Sequence, residues 1–149
     1  MTEEEYKELI NDPDCIEGIL YKINTGIEIP YPHNLYSYFK TGHCNIYGLI
    51  LTELFGVYAV PYVNHDHVIT KIGDNFYDVE GMMPKRLVES LGFEEITADE
   101  LYDLPLFRGL GDYTKGIDDK LIETAVKIGR DFIQEIIEKR KKTKGGHSL

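Results

Sequence analysis

The apolar positions in the first third of the chain predict three helices. Residues 2–11 carry a threonine cap, an acidic first turn and one apolar face, and residues 15–23 repeat isoleucine and leucine at helical spacing. Prolines and a His-Asn pair indicate an irregular, extended segment over residues 26–38. Residues 45–55 are apolar on nearly every side, which is typical of a buried helix, and Gly56 is a natural stop for it.

Three β-branched and aromatic stretches follow, and each predicts a strand. The first covers residues 57–63. The second and third cover residues 67–72 and 75–79, and the Gly-Asp pair at 73–74 between them is a tight turn. These segments therefore form an antiparallel meander.

The rest of the chain is predicted to be helical. One helix is expected around residues 86–91, and the capping-box sequence at 97–100 opens a short helix that ends at Leu104. A glycine-rich loop follows over residues 105–115. The last helix, over residues 118–142, repeats isoleucine, valine and phenylalanine on one face.

This order of elements, with helices before and after an antiparallel meander along the chain, predicts an α+β fold. Nothing in the sequence marks a linker, so we expect one domain over residues 1–149, a size that buries a sufficient core. Its expected parts are N-terminal helices with the irregular segment, a central core, C-terminal helices and a flexible tail, over residues 1–39, 40–81, 82–142 and 143–149.

The charge of the chain excludes some classes of partner. Its formal net charge is −10, which repels phosphate backbones, so nucleic acid is not an expected partner, and the basic run at 139–144 is interpreted as a solvated helix end. The N-terminus lacks the features of a signal peptide, and no apolar stretch approaches the roughly 20 residues of a membrane helix. We therefore expect a cytoplasmic protein without membrane contact, in which Cys15 and Cys44 are reduced.

Cys44 is the candidate nucleophile. It stands at the predicted start of the buried helix, where free backbone amides and the helix dipole stabilise an anion and can also bind the oxyanion of a tetrahedral intermediate. Gly42, two residues earlier, suits a close approach of substrate because it has no side chain. Cys15 is instead interpreted as a structural thiol.

The hairpin supplies a candidate base and a group to orient it. If the turn at 73–74 is tight, Ile69 lies opposite Asp78 and His67 lies opposite Glu80. His67, Asp78 and Glu80 then share one side of the sheet. A carboxylate beside His67 would fix its tautomer, so Asp78, or alternatively Glu80, is the predicted orienting group.

These residues resemble a family pattern. Gly42-His43-Cys44 opens an apolar helix, His67-Val68 starts a strand, and Asp78-Val79-Glu80-Gly81 ends the next one. The order Cys, His, Asp on helix, strand and strand resembles the papain-like and transglutaminase-like cysteine hydrolases, including the arylamine N-acetyltransferases. It is most similar to small bacterial and phage proteins with a Gly-x-Cys helix and a His-Val…Tyr-Asp-Val-x-Gly hairpin.

The resemblance implies a papain-like core over residues 40–81 and a cysteine-dependent hydrolase or acyl-transferase. Cys44 would be the nucleophile, His67 the base and Asp78 the orienting group, with no cofactor. The substrate would be a protein, a peptide or a small amide or thioester. Residues expected to form the oxyanion site or shape the pocket are Gly42, His43, Asn45 and Tyr38.

Two other functions are compatible with the same residues. His43, Cys44, His65 and His67 offer four nitrogen and sulfur ligands, the set that Zn²⁺ prefers. A non-catalytic binding or inhibitor protein on the same fold, such as phages use against host defences, would suit the acidic, tyrosine-rich composition. The sequence does not indicate an oligomeric state.

Overall fold

The computed structural model describes residues 2–27, 44–65, 67–103 and 115–146 of the chain. Within these ranges the elements follow in this order: α1 (Glu3–Ile10), α2 (Pro13–Gly26), α3 (Cys44–Phe55), a 3₁₀ turn (Gly56–Tyr58), β1 (Ala59–Val63), β2 (Val68–Ile72), β3 (Asn75–Asp78), β4 (Gly81–Met83), α4 (Lys85–Ser90), β5 (Glu94–Glu95), α5 (Ala98–Asp103) and α6 (Lys115–Gly146). The fold is α+β, as the pattern predicts.

Both N-terminal helices begin at side-chain caps. The Thr2 hydroxyl accepts the backbone N–H of Glu5 at 3.1 Å, ahead of a first turn of three glutamates. The Asp12 carboxylate accepts the N–H groups of Asp14 and Cys15 at 3.2 and 3.3 Å, and a proline occupies the first turn of α2. These side chains satisfy amides that have no partner within the helix, which fixes where α1 and α2 start.

The five strands form one antiparallel sheet in the order β4-β3-β2-β1-β5. The turn between β2 and β3 has the predicted length and pairs Ile72 with Asn75. Gly73 in this turn has a φ of +63°, and a Cβ there would lie 2.9 Å from the carbonyl oxygen of Ile10. A glycine is therefore needed both for the backbone and for the contact with α1.

Helix α3 is the centre of the core. It packs against α6 on one side and against β1 and β2 on the other, and every residue of it except Leu49, Thr52 and Glu53 is buried. Helix α2 packs against α6 and β4. A helix that is apolar nearly all round requires such complete cover.

The shorter helices complete the packing around the sheet. Helix α4 contacts β3, and α5 contacts α3 and β1. The predicted capping box of α5 is present, because the Thr97 hydroxyl accepts the Glu100 N–H and the Glu100 carboxylate accepts the Thr97 N–H, both at 3.1 Å. This cap holds α5 in place, with Leu101 fully buried beside α3.

The structure differs from the predicted elements where segments are short or polar. Residues 57–58 belong to the 3₁₀ turn rather than to β1, because Gly56 takes a φ of +58° and Val57 is 89% exposed. Strands β4 and β5 are three and two residues long and carry too few alternating positions to be predicted.

The last helix is longer at both ends than the predicted helix over residues 118–142. It begins at Lys115, and it continues through residues 143–146, which the sequence assigns to a flexible tail. The Thr143 hydroxyl donates to the Lys139 carbonyl at 3.0 Å, and lysine and arginine are good helix formers, so nothing before the glycines ends the helix. Most of the predicted irregular segment and of the predicted glycine-rich loop lies outside the described residues. No helix in the described ranges is both long enough and apolar enough to cross a membrane.

Candidate active site

Cys44 is the first residue of α3 and is buried, with 4% of its surface exposed. It packs against Val68 of β2 and Leu101 of α5. The amides of the first helical turn have no partner within the helix, and the Cys44 sulfur belongs to this turn. This is the position predicted for the nucleophile.

His67 lies just before β2, in the connection from β1. Its backbone N–H donates to the Asn64 side-chain oxygen at 2.8 Å, and its carbonyl accepts the Asn64 N–H at 3.1 Å. The Asn64 side chain also donates to the Leu91 carbonyl at 3.0 Å, and the Phe93 ring meets the His67 ring edge-on at 6.5 Å. Asn64, which the sequence did not single out, therefore fixes the backbone that carries His67.

Asp78 ends β3 and is hydrogen-bonded through both carboxylate oxygens. Oδ2 lies 3.1 Å from Nε2 of His67, and Oδ1 accepts the Glu80 N–H at 2.8 Å. Glu80 is exposed in the following turn, so its backbone contributes to the site by holding Asp78. The carboxylate in contact with His67 is that of Asp78.

The His67 ring is hydrogen-bonded to the Asp78 carboxylate, and it lines the same small cavity as the Cys44 thiol. Burial of the ring disfavours its positive charge and lowers the pKa of His67. The hydrogen bonds to Asp78 and Cys44, with the negative charges of both groups, outweigh burial and raise the pKa from 6.5 to about 9. The geometry therefore favours a protonated imidazole between two acidic partners.

Alternation along the strand does not by itself bring His67 to Cys44. Val68 and Thr70 point toward α3, since a Cβ on Gly48 would lie 3.0 Å from Val68 Cγ1 and 3.8 Å from Thr70 Oγ1. A regular strand would turn residue 67 to the other face. His67 precedes the strand, and there its ring reaches the start of α3. His67 and Asp78 therefore meet at the ends of the two strands, in a cavity that Val68 and Tyr77 also line, and regular alternation alone does not account for the contact.

A cavity of about 10 Å³ lies beneath the three side chains. Its walls include Cys44, His67, Asp78, Tyr47 and Tyr77. Burial raises the pKa of Tyr77 to about 12, so its hydroxyl stays neutral. The cavity has room for about one water molecule.

A buried hydrogen-bonded chain connects the site to α2. The Asn24 amide donates to the Val79 carbonyl at 2.9 Å, and the Tyr47 hydroxyl donates to the Asn24 side-chain oxygen at 3.0 Å. Asn24 was not among the residues predicted from the sequence. The available signal was a polar residue four positions after Leu20 on the apolar face of α2.

The remaining predicted residues are placed as follows. Asn45 is buried beside the nucleophile, and its side-chain oxygen has no hydrogen-bond partner among the described residues. Gly42, His43 and Tyr38 lie outside the described ranges. His65 is exposed in the bend before His67.

The zinc hypothesis therefore stays a prediction. Of its four proposed ligands, Cys44 and His67 meet in the described structure, and His43 is not described. No group of three or more His, Cys, Asp or Glu side chains in the described part of the chain is arranged to hold a metal ion.

The second cysteine has different surroundings. Cys15 is partly buried in α2, and Nη2 of Arg140 donates to its sulfur at 3.2 Å and to Asp12 Oδ2 at 3.3 Å. Burial raises the pKa of Cys15, although the arginine opposes this effect. Cys15 fits the structural role predicted for it, because it ties α2 to the far end of α6.

Comparison of the chain with family models, with curated proteins and with solved structures finds no match. The chemistry of the site is therefore inferred from its geometry.

Proposed function

We propose that this protein is a cysteine-dependent hydrolase or acyl-transferase with a papain-like or transglutaminase-like core, acting on an amide, isopeptide or thioester. The observation that carries the proposal is one imidazole that is hydrogen-bonded to a carboxylate and shares a small cavity with a thiol at a helix start, whose interaction with the ring raises the pKa of His67. Nucleophile, base and orienting group in contact are the arrangement that activates a cysteine.

The first half of the reaction acylates the enzyme. His67 starts as the imidazolium that its raised pKa favours, stabilised by the Asp78 carboxylate, and it faces the Cys44 thiolate. The thiolate attacks the substrate carbonyl, a carbon–sulfur bond forms, and the first-turn amides of α3 face the developing oxyanion. When the intermediate collapses, the bond to the leaving amine or thiol breaks, and His67 gives its proton to that group.

The second half releases the acyl group. His67 takes a proton from water or from an acceptor amine, which attacks the thioester carbonyl. The carbon–sulfur bond breaks, and the Cys44 thiolate is restored beside the protonated His67. Water as the acceptor gives hydrolysis, and an amine gives acyl transfer, so one site serves both reactions.

Thiol alkylation tests whether the site is activated. With iodoacetamide at pH 7, Cys44 should react at least about tenfold faster than Cys15, because the thiolate is the reactive form. His67→Gln should slow the alkylation of Cys44 by about a hundredfold, within the range that a positioned base contributes. Mass spectrometry of the two cysteine peptides measures each rate separately.

Cys15 is the internal control, since its rate should be the same in wild type and in His67→Gln. Equal rates at the two cysteines in the folded wild type would contradict the proposal.

Turnover is tested with an activated acyl probe. Wild type mixed with p-nitrophenyl acetate should release a burst of about one equivalent of nitrophenolate as Cys44 is acylated. Cys44→Ala should abolish the burst, and Cys15→Ala should leave it intact. A burst that survives Cys44→Ala would exclude this sulfur as the nucleophile.

The burial of Cys44 favours one alternative, a non-catalytic binding protein on the same fold. With 4% of the residue exposed, a thiol sealed from substrate is the feature that would make the site structural. Slow alkylation of Cys44 in the folded protein, together with rapid alkylation in urea, is the result that supports this alternative.

A further inference from the structure

Asn24 is a polar side chain buried on the apolar face of α2. Its exposed fraction is 9%. Both polar atoms of its side-chain amide are hydrogen-bonded: the nitrogen donates to the Val79 carbonyl, and the oxygen accepts from the Tyr47 hydroxyl. Burying a side-chain amide destabilises a fold unless its hydrogen bonds are made inside the protein. Asn24 makes these bonds, so it connects the segments that carry its two partners.

The two partners of Asn24 belong to the two halves of the candidate site. Val79 directly follows Asp78, in the turn between β3 and β4. Tyr47 follows Cys44 by one turn of α3, and both residues line the cavity beneath His67. Asn24 therefore links the helix that carries the thiol to the turn that carries the carboxylate.

Helix α2 holds the same turn at further points. The Glu17 carboxylate accepts the Met82 N–H at 3.0 Å, and a Cβ on Gly81 would lie 3.3 Å from this carboxylate. The Val79 side chain is buried in the main core. The turn therefore has little freedom to move relative to α2.

We propose that Asn24 and Tyr47 are positioning residues that set the distance from the Cys44 thiol to the Asp78 carboxylate across the His67 ring. This inference rests on the proposed function, because it assigns the pair a role in keeping the imidazole in contact with both partners. We expect this role to matter for activity because small displacements of catalytic groups have large effects on the reaction rate.

Tyr47→Phe tests the inference because it removes only a hydroxyl and keeps the ring in place. Asp78 then holds the imidazolium less well, so the thiolate forms at higher pH. The pH profile of Cys44 alkylation by iodoacetamide should move to higher pH, with a rate at pH 7 about tenfold below wild type. Asn24→Ala removes both hydrogen bonds without adding bulk and should shift the profile in the same direction.

Tyr6→Phe is the matched control. The Tyr6 hydroxyl donates to the Leu54 carbonyl at 2.9 Å, at the opposite end of α3 from Cys44. This variant loses the same chemical group and a comparable hydrogen bond, so it should lower the urea midpoint similarly and leave the alkylation profile unchanged.

The outcomes separate the two proposals. A shifted profile in Tyr47→Phe and Asn24→Ala, with an unshifted one in Tyr6→Phe, supports the positioning role. If wild-type Cys44 reacts fast and all profiles coincide, or if Tyr6→Phe shifts the profile as much, the positioning role is overturned and the proposed function stands. A wild-type Cys44 that reacts no faster than Cys15 overturns both.

Discussion

At the scale of single residues, the two cysteines show what the fold does to the same functional group. Cys44 lies beside an imidazole that is hydrogen-bonded to a carboxylate, whereas the sulfur of Cys15 accepts from a guanidinium that also contacts Asp12. An imidazole can release a proton and take it back, whereas a guanidinium stays protonated in proteins. Only Cys44 therefore has a partner suited to acid–base chemistry.

The charge of His67 can be measured directly. Its ring protons, followed by NMR, should titrate with a midpoint near pH 9 in the wild type. Asp78→Asn and Cys44→Ala should each lower the midpoint, because each removes a hydrogen bond and a negative charge that favour the imidazolium. Cys15→Ala is the control and should leave it unchanged.

The same shift has a consequence for stability. Folding raises the pKa of His67 above 6.5. The contribution of this group to the free energy of unfolding is therefore fully present below about pH 6.5 and is lost as the pH rises through about 9. The free energy of unfolding should fall more across this interval in wild type than in His67→Gln. An NMR titration midpoint of His67 close to pH 6.5 in the wild type would contradict the site geometry.

At the scale of elements, the sequence predicted what depends on local chemistry. The Gly73-Asp74 turn fixed the register of β2 and β3, and the Thr97 cap fixed the start of α5. The sequence could not predict β5, because two exposed glutamates form a strand only when β1 lies beside them. The same is true of Asn24, whose partners lie far along the chain.

Two helix glycines give opposite predictions for stability. A Cβ on Gly129 of α6 would lie 2.5 Å from Leu54 Cδ2 and 3.3 Å from Ile23 Cδ1. Gly129→Ala should therefore destabilise the fold, because overpacking costs about 1–3 kcal/mol and exceeds the roughly 1 kcal/mol gained in helix propensity. A Cβ on Gly18 of α2 would meet only Phe132, at 4.0 Å, so Gly18→Ala should stabilise by about 0.5–1 kcal/mol.

Urea denaturation of the two variants measures both effects. The variants are matched in chemistry and differ only in the space around the added methyl group. If Gly129→Ala were as stable as Gly18→Ala, the close crossing of α3 and α6 would be wrong.

At the scale of the whole molecule, helices α1, α2, α3 and α6 and the sheet enclose the main core of the described residues, and the candidate site lies at its border. Cys44, Val68 and Leu101 form a separate small cluster where α3, β2 and α5 meet. The residues proposed to do chemistry come from residues 44–78, whereas α2 and α6 provide support from both ends of the chain. The N- and C-terminal parts therefore serve the site through packing.

The acidic surface should make stability depend on salt. With a formal net charge of −10, like charges repel in the compact state. Raising the ionic strength from about 0.01 M to 0.15 M shortens the screening length from about 30 Å to 8 Å, so the urea midpoint at pH 7 should rise. A midpoint that stays constant or falls would show that attractive ion pairs outweigh the net charge.

Gly48 sits one turn along α3 from Cys44, at the place where a Cβ would be 3.0 Å from both Leu101 and Val68. A larger residue at position 48 would push against Val68 and move the start of α3 away from β2. The distance across which we propose that a proton travels therefore depends on a position that contributes no functional group. The proposed reaction therefore depends on the absence of a side chain at residue 48 as well as on the sulfur of Cys44.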